Sequence, residues 1–156
     1  MKKTLILGMG NPILSDDAVG LLLARELHGK IGGTDTACSA MVGMDLLELL
    51  DGYETVFILD AMTTPGGSAG EWCRVSENDH AGTRHLFSSH GHNIFQLMEL
   101  GRRCGLRMPR IGGVYGVEIG DEVAFGEDLS PELCSKFPAI ADGIAGDILC
   151  RLKERP

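Results

Sequence analysis

Short apolar segments alternate with amphipathic helical segments along this chain, and this alternation restricts the fold more than any other feature of the sequence. Residues 4–9 and 55–60 are compact apolar runs, and turn-forming residues follow each of them. Continuous apolar runs of this length are typical of strands buried on both faces of a parallel sheet. The alternation therefore predicts an α/β fold, with a twisted, mostly parallel (mixed) sheet and helices on both faces.

The remaining elements follow from periodicity and helix-end signals. Ser15 is a predicted N-cap, with Asp16 and Asp17 in the first turn of the helix. Ser130 and Pro131 have the pattern of an N-cap followed by a first-turn proline, and Pro138 is expected to kink the last helix or to divide it. The sequence predicts helices over 15–29, 44–50, 93–104 and 130–151, and further strands over 35–40, 71–75 and 111–119.

Length and charge limit the possible partners. The 156 residues are expected to form one domain, 1–156. The formal charge of −8 and the isoelectric point of about 5.0 argue against a nucleic-acid partner, because phosphate binding requires clustered Lys and Arg. No apolar run reaches the ~18–20 residues that span a bilayer, and the stretch after Lys3 is shorter than the ~7–15 residues of a signal peptide core. No membrane partner is expected, and the predicted location is cytoplasmic.

Cysteine usage agrees with a reducing compartment. The five cysteines are an odd number and include no Cys-x-x-Cys pair, which fits neither a disulfide framework nor a zinc knuckle. Reduced, mostly buried thiols are therefore expected.

The loop after the first strand contains residues 8–10, Gly-Met-Gly, and then two adjacent acids, Asp16 and Asp17. A Gly-x-Gly between a strand and a helix suggests a dinucleotide site, but Ile13 occupies the position of the third glycine and the acids would repel a pyrophosphate. Carboxylates on such a loop suit a cation instead. Acids in a first helical turn also favour the helix by ~0.3–1 kcal/mol, so both roles remain open for this pair.

A third acid ends the second apolar segment. In open α/β sheets the ligand crevice lies at the carboxyl ends of the strands, which here are the positions after Leu7, Leu59 and Val117. Asp60 directly follows Leu59. An aspartate at this point is either a ligand or a partner of a neighbouring backbone amide, and the sequence favours neither.

His90 is the candidate nitrogen ligand. It lies in residues 88–93, Ser-Ser-His-Gly-His-Asn, directly before a predicted helix. Imidazole together with carboxylates suits first-row transition metals, whereas a structural histidine is the alternative. His92 is a near rival. A solvated surface position is the simpler interpretation for His28, His80 and His85.

Other catalytic signatures are missing from the sequence. It contains no Gly-x-Ser-x-Gly elbow, no cysteine at a strand-to-helix turn and no His-Glu-x-x-His motif. Composition and spacing alone therefore support an α/β domain with a candidate Asp/Asp/His cation site.

The residues nevertheless resemble a known family, the hydrogenase maturation endopeptidases, over nearly the whole chain. Residues 8–20 resemble the family's opening Gly-x-Gly-Asn…Asp-(Asp/Glu)-x-x-Gly, and residues 56–61 resemble its second acid-bearing strand. Residues 88–90 resemble its Ser-x-His before the third helix, and residues 126–131 its late Gly-x-x-Leu-(Ser/Thr)-Pro. These motifs occur in the family's order and at matching spacing.

The resemblance implies a fold, a metal site and a substrate. The family fold is a twisted mixed sheet between helices, as the alternation also predicts. Carried over by motif, the family's metal ligands are Asp17, Asp60 and His90, and Asp16 becomes a capping neighbour. The family's substrate is the nickel-loaded precursor of a nickel-iron hydrogenase large subunit, from which the endopeptidase removes a short C-terminal extension. The implied metal is thus nickel supplied by the substrate, and other divalent cations are expected to substitute.

In the implied mechanism, Asp17, Asp60 and His90 recognise this nickel, position the scissile bond, and polarise its carbonyl or activate a water. Whether one aspartate also acts as a general base stays open. The alternative is a non-catalytic module of the same fold that binds a nickel centre or a partner chain without cutting. The sequence does not reveal the oligomeric state.

Two segments depart from the family's pattern. Residues 38–43, Cys-Ser-Ala-Met-Val-Gly, stand where the family has Asp-Gly-Gly-Thr-x-Gly, a loop thought to touch the substrate. Residues 116–119, Gly-Val-Glu-Ile, stand where the family has Gly-x-x-Pro. The three expected ligands are retained, so the departures bear mainly on which precursor is processed.

We predict that residues 38–43 select the partner and take no part in catalysis. Replacing residues 38–41 with Asp-Gly-Gly-Thr is expected to change which precursors are cleaved, because the segment departs from the family where the ligands do not. Relative cleavage rates over a panel of precursors, followed by mass spectrometry, measure this. Unchanged relative rates would contradict the prediction.

Overall fold

The computed structural model describes residues 3–40, 43–76, 94–121 and 124–154. The strands are β1 (Thr4–Met9), β2 (Thr34–Ser39), β3 (Thr55–Met62), β4 (Trp72–Arg74) and β5 (Arg110–Glu118). The α-helices are α1 (Val19–Leu27), α2 (Met44–Leu50), α3 (Ile94–Arg103) and α4 (Pro131–Lys153), and a short 3₁₀ helix, Ser15–Ala18, leads directly into α1.

The strands form one sheet in the order β2-β1-β3-β5-β4. The pairs β1–β2, β1–β3 and β3–β5 are parallel, whereas β4 runs antiparallel to β5 at one edge. Every residue of β1 and β3 is buried, as their continuous apolar sequences predict. The predicted mostly parallel, mixed sheet is confirmed.

Helices cover both faces of this sheet, as predicted. One core contains α1 and α4 with alternate strand residues such as Ile6, Phe57 and Tyr115. The other contains α2 and α3 with the intervening strand residues, among them Leu7 and Ile58. Because successive strand side chains point to opposite faces, an unbroken apolar run contributes to both cores.

A polar cluster joins the sheet to α4. The Tyr115 hydroxyl donates a hydrogen bond to Oδ2 of Asp147 over 2.7 Å, and Arg151 and Arg74 lie 3.2 and 3.3 Å from the same oxygen. Burial raises the pKa of Tyr115, and the hydrogen bond to Asp147 raises it further. The phenol therefore stays protonated and remains a donor at neutral pH.

Most predicted helices are confirmed. The sequence left open whether Pro138 kinks the last helix or divides it, and the structure of α4 answers this. The helix is continuous across Pro138, although proline removes one backbone hydrogen bond. Apolar residues on both sides of Pro138, Leu133 and Ile140, are buried in the core, and their packing offsets the lost bond. At the start of α4, Oγ of Ser130 accepts a hydrogen bond from the Leu133 amide over 3.4 Å, as the predicted N-cap requires.

The expectation of buried cysteines is wrong. All five cysteine residues are exposed. They lie in β2, in β4, just after α3 and on α4, at positions that do not face either core. No helix among the described residues combines the length and the apolar character needed to cross a bilayer.

Gly20 provides a direct test of how α1 packs on the sheet. A Cβ added at Gly20 would lie 2.4 Å from the carbonyl oxygens of Met9 and Leu59, which are backbone atoms and cannot move independently. We expect Gly20→Ala to lower the free energy of unfolding by about 3 kcal/mol, measured by urea denaturation. Gly146→Ala in α4 is the matched control, because nothing lies within 4 Å of the added methyl group. It is expected to stabilise the protein by about 0.5–1 kcal/mol. A harmless Gly20→Ala would contradict this packing.

Candidate functional site

The carboxyl ends of β1 and β3 lie side by side. The last paired residues of the two strands are Gly8 and Leu59, so Asp60 begins the part of β3 that extends beyond this pairing. The 3₁₀ helix packs against β3, and it carries Asp17. The structure thus brings the elements that carry Asp17 and Asp60 together at the carboxyl ends of the central strands, as the strand-end rule predicts.

Asp17 closes the loop that follows β1. Its Oδ2 accepts a hydrogen bond from the Asn11 amide over 2.9 Å, and Oδ1 of Asn11 accepts one from the Ile13 amide over 3.1 Å. The Asp17 side chain is half-buried, and no described residue donates a hydrogen bond to its Oδ1. One carboxylate oxygen is therefore held by the protein, and the other has the acceptor capacity that a cation or a water requires.

Asp60 lies inside β3 and not at its end, which corrects the sequence-based expectation. The strand continues to Met62 because Asp60, Ala61 and Met62 pair with β5 residues 116–118. Asp60 is only 3% exposed, and its Oδ1 accepts a hydrogen bond from the Ala61 amide over 2.9 Å. The amide contact, one of the two roles expected for Asp60, is thus present. A buried carboxylate carries a desolvation cost of several kcal/mol, which favours a functional reason for keeping an acid there.

His90 lies outside the described residues, as do His80, His85 and its rival His92. Its proposed place beside Asp17 and Asp60 stays a prediction. Among the residues that the structure describes, no group of three or more His, Cys, Asp or Glu side chains could hold a metal ion. The ligand roles of Asp17 and Asp60 stay predictions together with that of His90.

Ser15 does not cap the helix that follows it. The 3₁₀ helix has Leu14 at its N-cap position without a side-chain hydrogen bond, and Ser15 has a φ of 43°. The Ser15 hydroxyl donates to the carbonyl of Asp128 over 2.7 Å instead, and its amide donates to the carbonyl of Gly126 over 2.8 Å. Contacts with a distant segment have replaced the local cap.

Asp16 takes part in the same contact. Its Oδ1 accepts a hydrogen bond from the amide of Ser130 over 2.7 Å, although 114 positions separate the two residues. Asp16 thus binds the N-cap residue of α4, whereas the resemblance implied a capping role beside Asp17. The contact joins the first and the last of the four family-like motifs, which sequence spacing alone could not reveal.

Glu118 is an acid that the sequence analysis did not assign. It is the last residue of β5 and is 4% exposed, directly after Val117, where the strand-end rule directs attention. Its position at the end of a strand was thus the signal in the sequence that could have identified it. The two oxygens of its carboxylate accept hydrogen bonds from the Thr64 amide, over 3.2 Å, and from the Thr64 hydroxyl.

The arrangement of Asp17 and Asp60 limits the chemistry. Two carboxylates on adjoining elements suit a divalent cation, and either one is able to act as a general base towards a water near that cation. The site lacks a phosphate-binding loop, because the loop after β1 turns back onto Asp17. The glycines of that loop allow close packing of the backbone and do not prepare an anion site.

Comparison of the sequence matches no protein-family model and no curated protein. Comparison of the structure finds the same fold in several solved proteins. The [NiFe] hydrogenase maturation protease HybD from Thermococcus kodakarensis is 23% identical, with a TM-score of 0.68 over 94% of this chain and 98% of that one. The maturation protease HycI from the same organism is 23% identical, with a TM-score of 0.67 over 95% and 92%. The hydrogenase maturating endopeptidase HybD from E. coli is 20% identical, with a TM-score of 0.66 over 91% and 89%. The chain has the fold of these proteases.

We predict that Asp16 stabilises the protein by holding the start of α4. Asp16→Ala removes the acceptor of the Ser130 amide and is expected to lower the free energy of unfolding by about 1–3 kcal/mol, measured by urea denaturation. Asp16→Asn keeps an acceptor oxygen and serves as the control, with a smaller expected loss. Equal losses for both variants would mean that the charge, and not the hydrogen bond, matters.

Proposed function

We propose that this chain is an endopeptidase that removes a C-terminal extension from a nickel-loaded nickel-iron hydrogenase large-subunit precursor. The observation that carries the proposal is that the elements bearing Asp17 and Asp60 meet at the carboxyl ends of β1 and β3, in a fold shared with hydrogenase maturation proteases. The four sequence motifs add independent support, because two of the four include these aspartates.

In this proposal the nickel belongs to the substrate. Asp17 and Asp60, with His90 as the third ligand, bind the nickel of the precursor from the enzyme's side. Nickel is a Lewis acid, and it would polarise a carbonyl or lower the pKa of a water beside it. Harder donors such as carboxylates also accept other divalent cations, which we expect to substitute for nickel in binding.

The chain's own residues contribute orientation. The Asn11 amide fixes one oxygen of Asp17, and the Ala61 amide fixes one oxygen of Asp60, so both carboxylates are held before the substrate arrives. Such preorganisation lowers the entropic cost of aligning the scissile bond. Burial of Asp60 also limits access of bulk water to that side of the site.

The direct test uses the purified protein with a nickel-loaded precursor and with the same precursor lacking nickel. We expect mass spectrometry to detect a shortened C-terminus only with nickel. A stable complex with an intact precursor would support the non-catalytic module instead. If the protein neither cleaves nor binds any nickel-loaded precursor, both functions are excluded.

Asp17 and Asp16 form a matched pair for mutagenesis. Asp17→Asn keeps an oxygen that accepts a hydrogen bond from the Asn11 amide, and Asp16→Asn keeps one that accepts from the Ser130 amide, so each substitution removes the negative charge while retaining that hydrogen bond. We expect Asp17→Asn to lower kcat/KM for the nickel-loaded precursor by at least about 100-fold, because the pull on the cation is lost. Asp16→Asn is expected to stay within about threefold of the parent.

Thermal melts check that both variants remain folded. If Asp17→Asn cleaves as well as the parent, Asp17 has only a structural role. If Asp16→Asn is instead the inactive variant, the ligand is the neighbouring acid.

A further inference from the structure

Glu118 connects the end of β3 to the segment that leads into β4. In addition to its two side-chain contacts with Thr64, its amide donates to the carbonyl of Glu71 over 2.7 Å, and its carbonyl accepts from the amide of Gly70 over 2.9 Å. A buried residue that is hydrogen-bonded through both its carboxylate and its backbone holds its surroundings in one arrangement. The arrangement that it holds begins two residues after Asp60 in sequence, at Met62, which pairs with Glu118.

The segment that Glu118 holds is a preformed tight turn. The Gly67 amide donates to the carbonyl of Thr64 over 3.0 Å, Pro65 follows Thr64, and Gly66 has a φ of 75°. Proline at the second position and a left-handed glycine at the third are typical of a type II β-turn. The turn lies directly on the glutamate, because a Cβ added at Gly67 would come within 2.4 Å of the Glu118 carboxylate.

This turn forms one wall of a cleft beyond the carboxyl ends of β3 and β5. The cleft has a volume of 450 Å³, and residues 119–121 form its other wall. Three of its eight lining residues are glycines and one is a proline, so half of its lining residues contribute backbone and no polar side chain. Exposed backbone amides and carbonyls are the groups that bind the main chain of an extended peptide.

We propose that this cleft holds the main chain of the peptide substrate beside the scissile bond, and that Glu118 is the positioning residue that keeps the cleft preformed. The inference rests on the proposed function, since it assigns a site to the polypeptide part of that substrate. Glu118 acts through the Thr64–Gly67 turn and does not contact the nickel ligands in this role. A preformed cleft avoids the entropic cost of ordering the turn when the peptide binds.

Steady-state cleavage of the nickel-loaded precursor tests this role in four variants. Glu118→Ala removes the contacts to Thr64, and Thr64→Val removes one of them. Gly67→Ala displaces the carboxylate without backbone strain, because Gly67 does not have a positive φ. Glu118→Gln keeps the side-chain length and is able both to accept from the Thr64 amide and to donate to its hydroxyl.

We expect Glu118→Ala and Gly67→Ala to raise KM at least about tenfold with kcat within about twofold, because the cleft is disordered while the nickel ligands are intact. Thr64→Val should raise KM less, and Glu118→Gln should restore KM to near the parent value. The double variant Gly67→Ala/Glu118→Ala should have the KM of Glu118→Ala alone, since both changes remove the same contact. Gly32→Ala is the matched control, because nothing lies within 4 Å of the added methyl group.

A purely structural role gives a different pattern. Lower melting temperatures with an unchanged KM in the folded variants would overturn the inference while leaving the proposed function intact. If Glu118→Ala does not fold, Gly67→Ala and Thr64→Val decide, and an unchanged KM in both would overturn the inference. If the parent protein cleaves no precursor, the proposed function fails and the inference fails with it.

Discussion

The close contact between α1 and the centre of the sheet determines where the candidate site lies. Gly8 on β1 and Gly20 on α1 face each other, and a Cβ added at Gly8 would come within 2.4 Å of the Gly20 carbonyl oxygen. Only residues without side chains permit this approach. Because the 3₁₀ helix continues directly into α1, the same contact holds the short helix that carries Asp17 against β3. The glycines that suggest a nucleotide site in the sequence are therefore explained by packing.

Much of the fold follows from local sequence. The apolar runs predict β1 and β3 as buried strands, and residues 44–50 form a helix with the predicted bounds. Local patterns did not predict the features that depend on contacts between distant segments of the chain. Strand β3 passes beyond Asp60 because β5 pairs with it, and Ser15 fails to cap because the 126–128 segment takes both its hydroxyl and its amide. Such pairings depend on residues far along the chain, which periodicity does not detect.

The candidate site was predictable to a similar degree. The rule that ligands gather at strand ends correctly brought together the elements of Asp17 and Asp60, and it also pointed to the position of Glu118. It did not reveal that Asp60 is buried or that Glu118 binds Thr64, because burial and partners depend on how the 63–70 segment folds back onto β5. Nor did it reveal the contact of Asp16 with Ser130. The ligand roles of Asp17, Asp60 and His90 remain predictions from the sequence.

The contact between Asp16 and Ser130 has a consequence for the order of events during synthesis. The loop that carries Asp17 is completed by groups that the ribosome adds 114 residues after Asp16. At the usual rate of ~5–20 residues per second, the nascent chain spends roughly ten seconds with β1 and α1 made but the loop unclosed. Folding of the strands can begin earlier, whereas the site reaches its final shape only when the start of α4 has left the ribosome. A partly synthesised chain therefore lacks the contact that joins this loop to the start of α4.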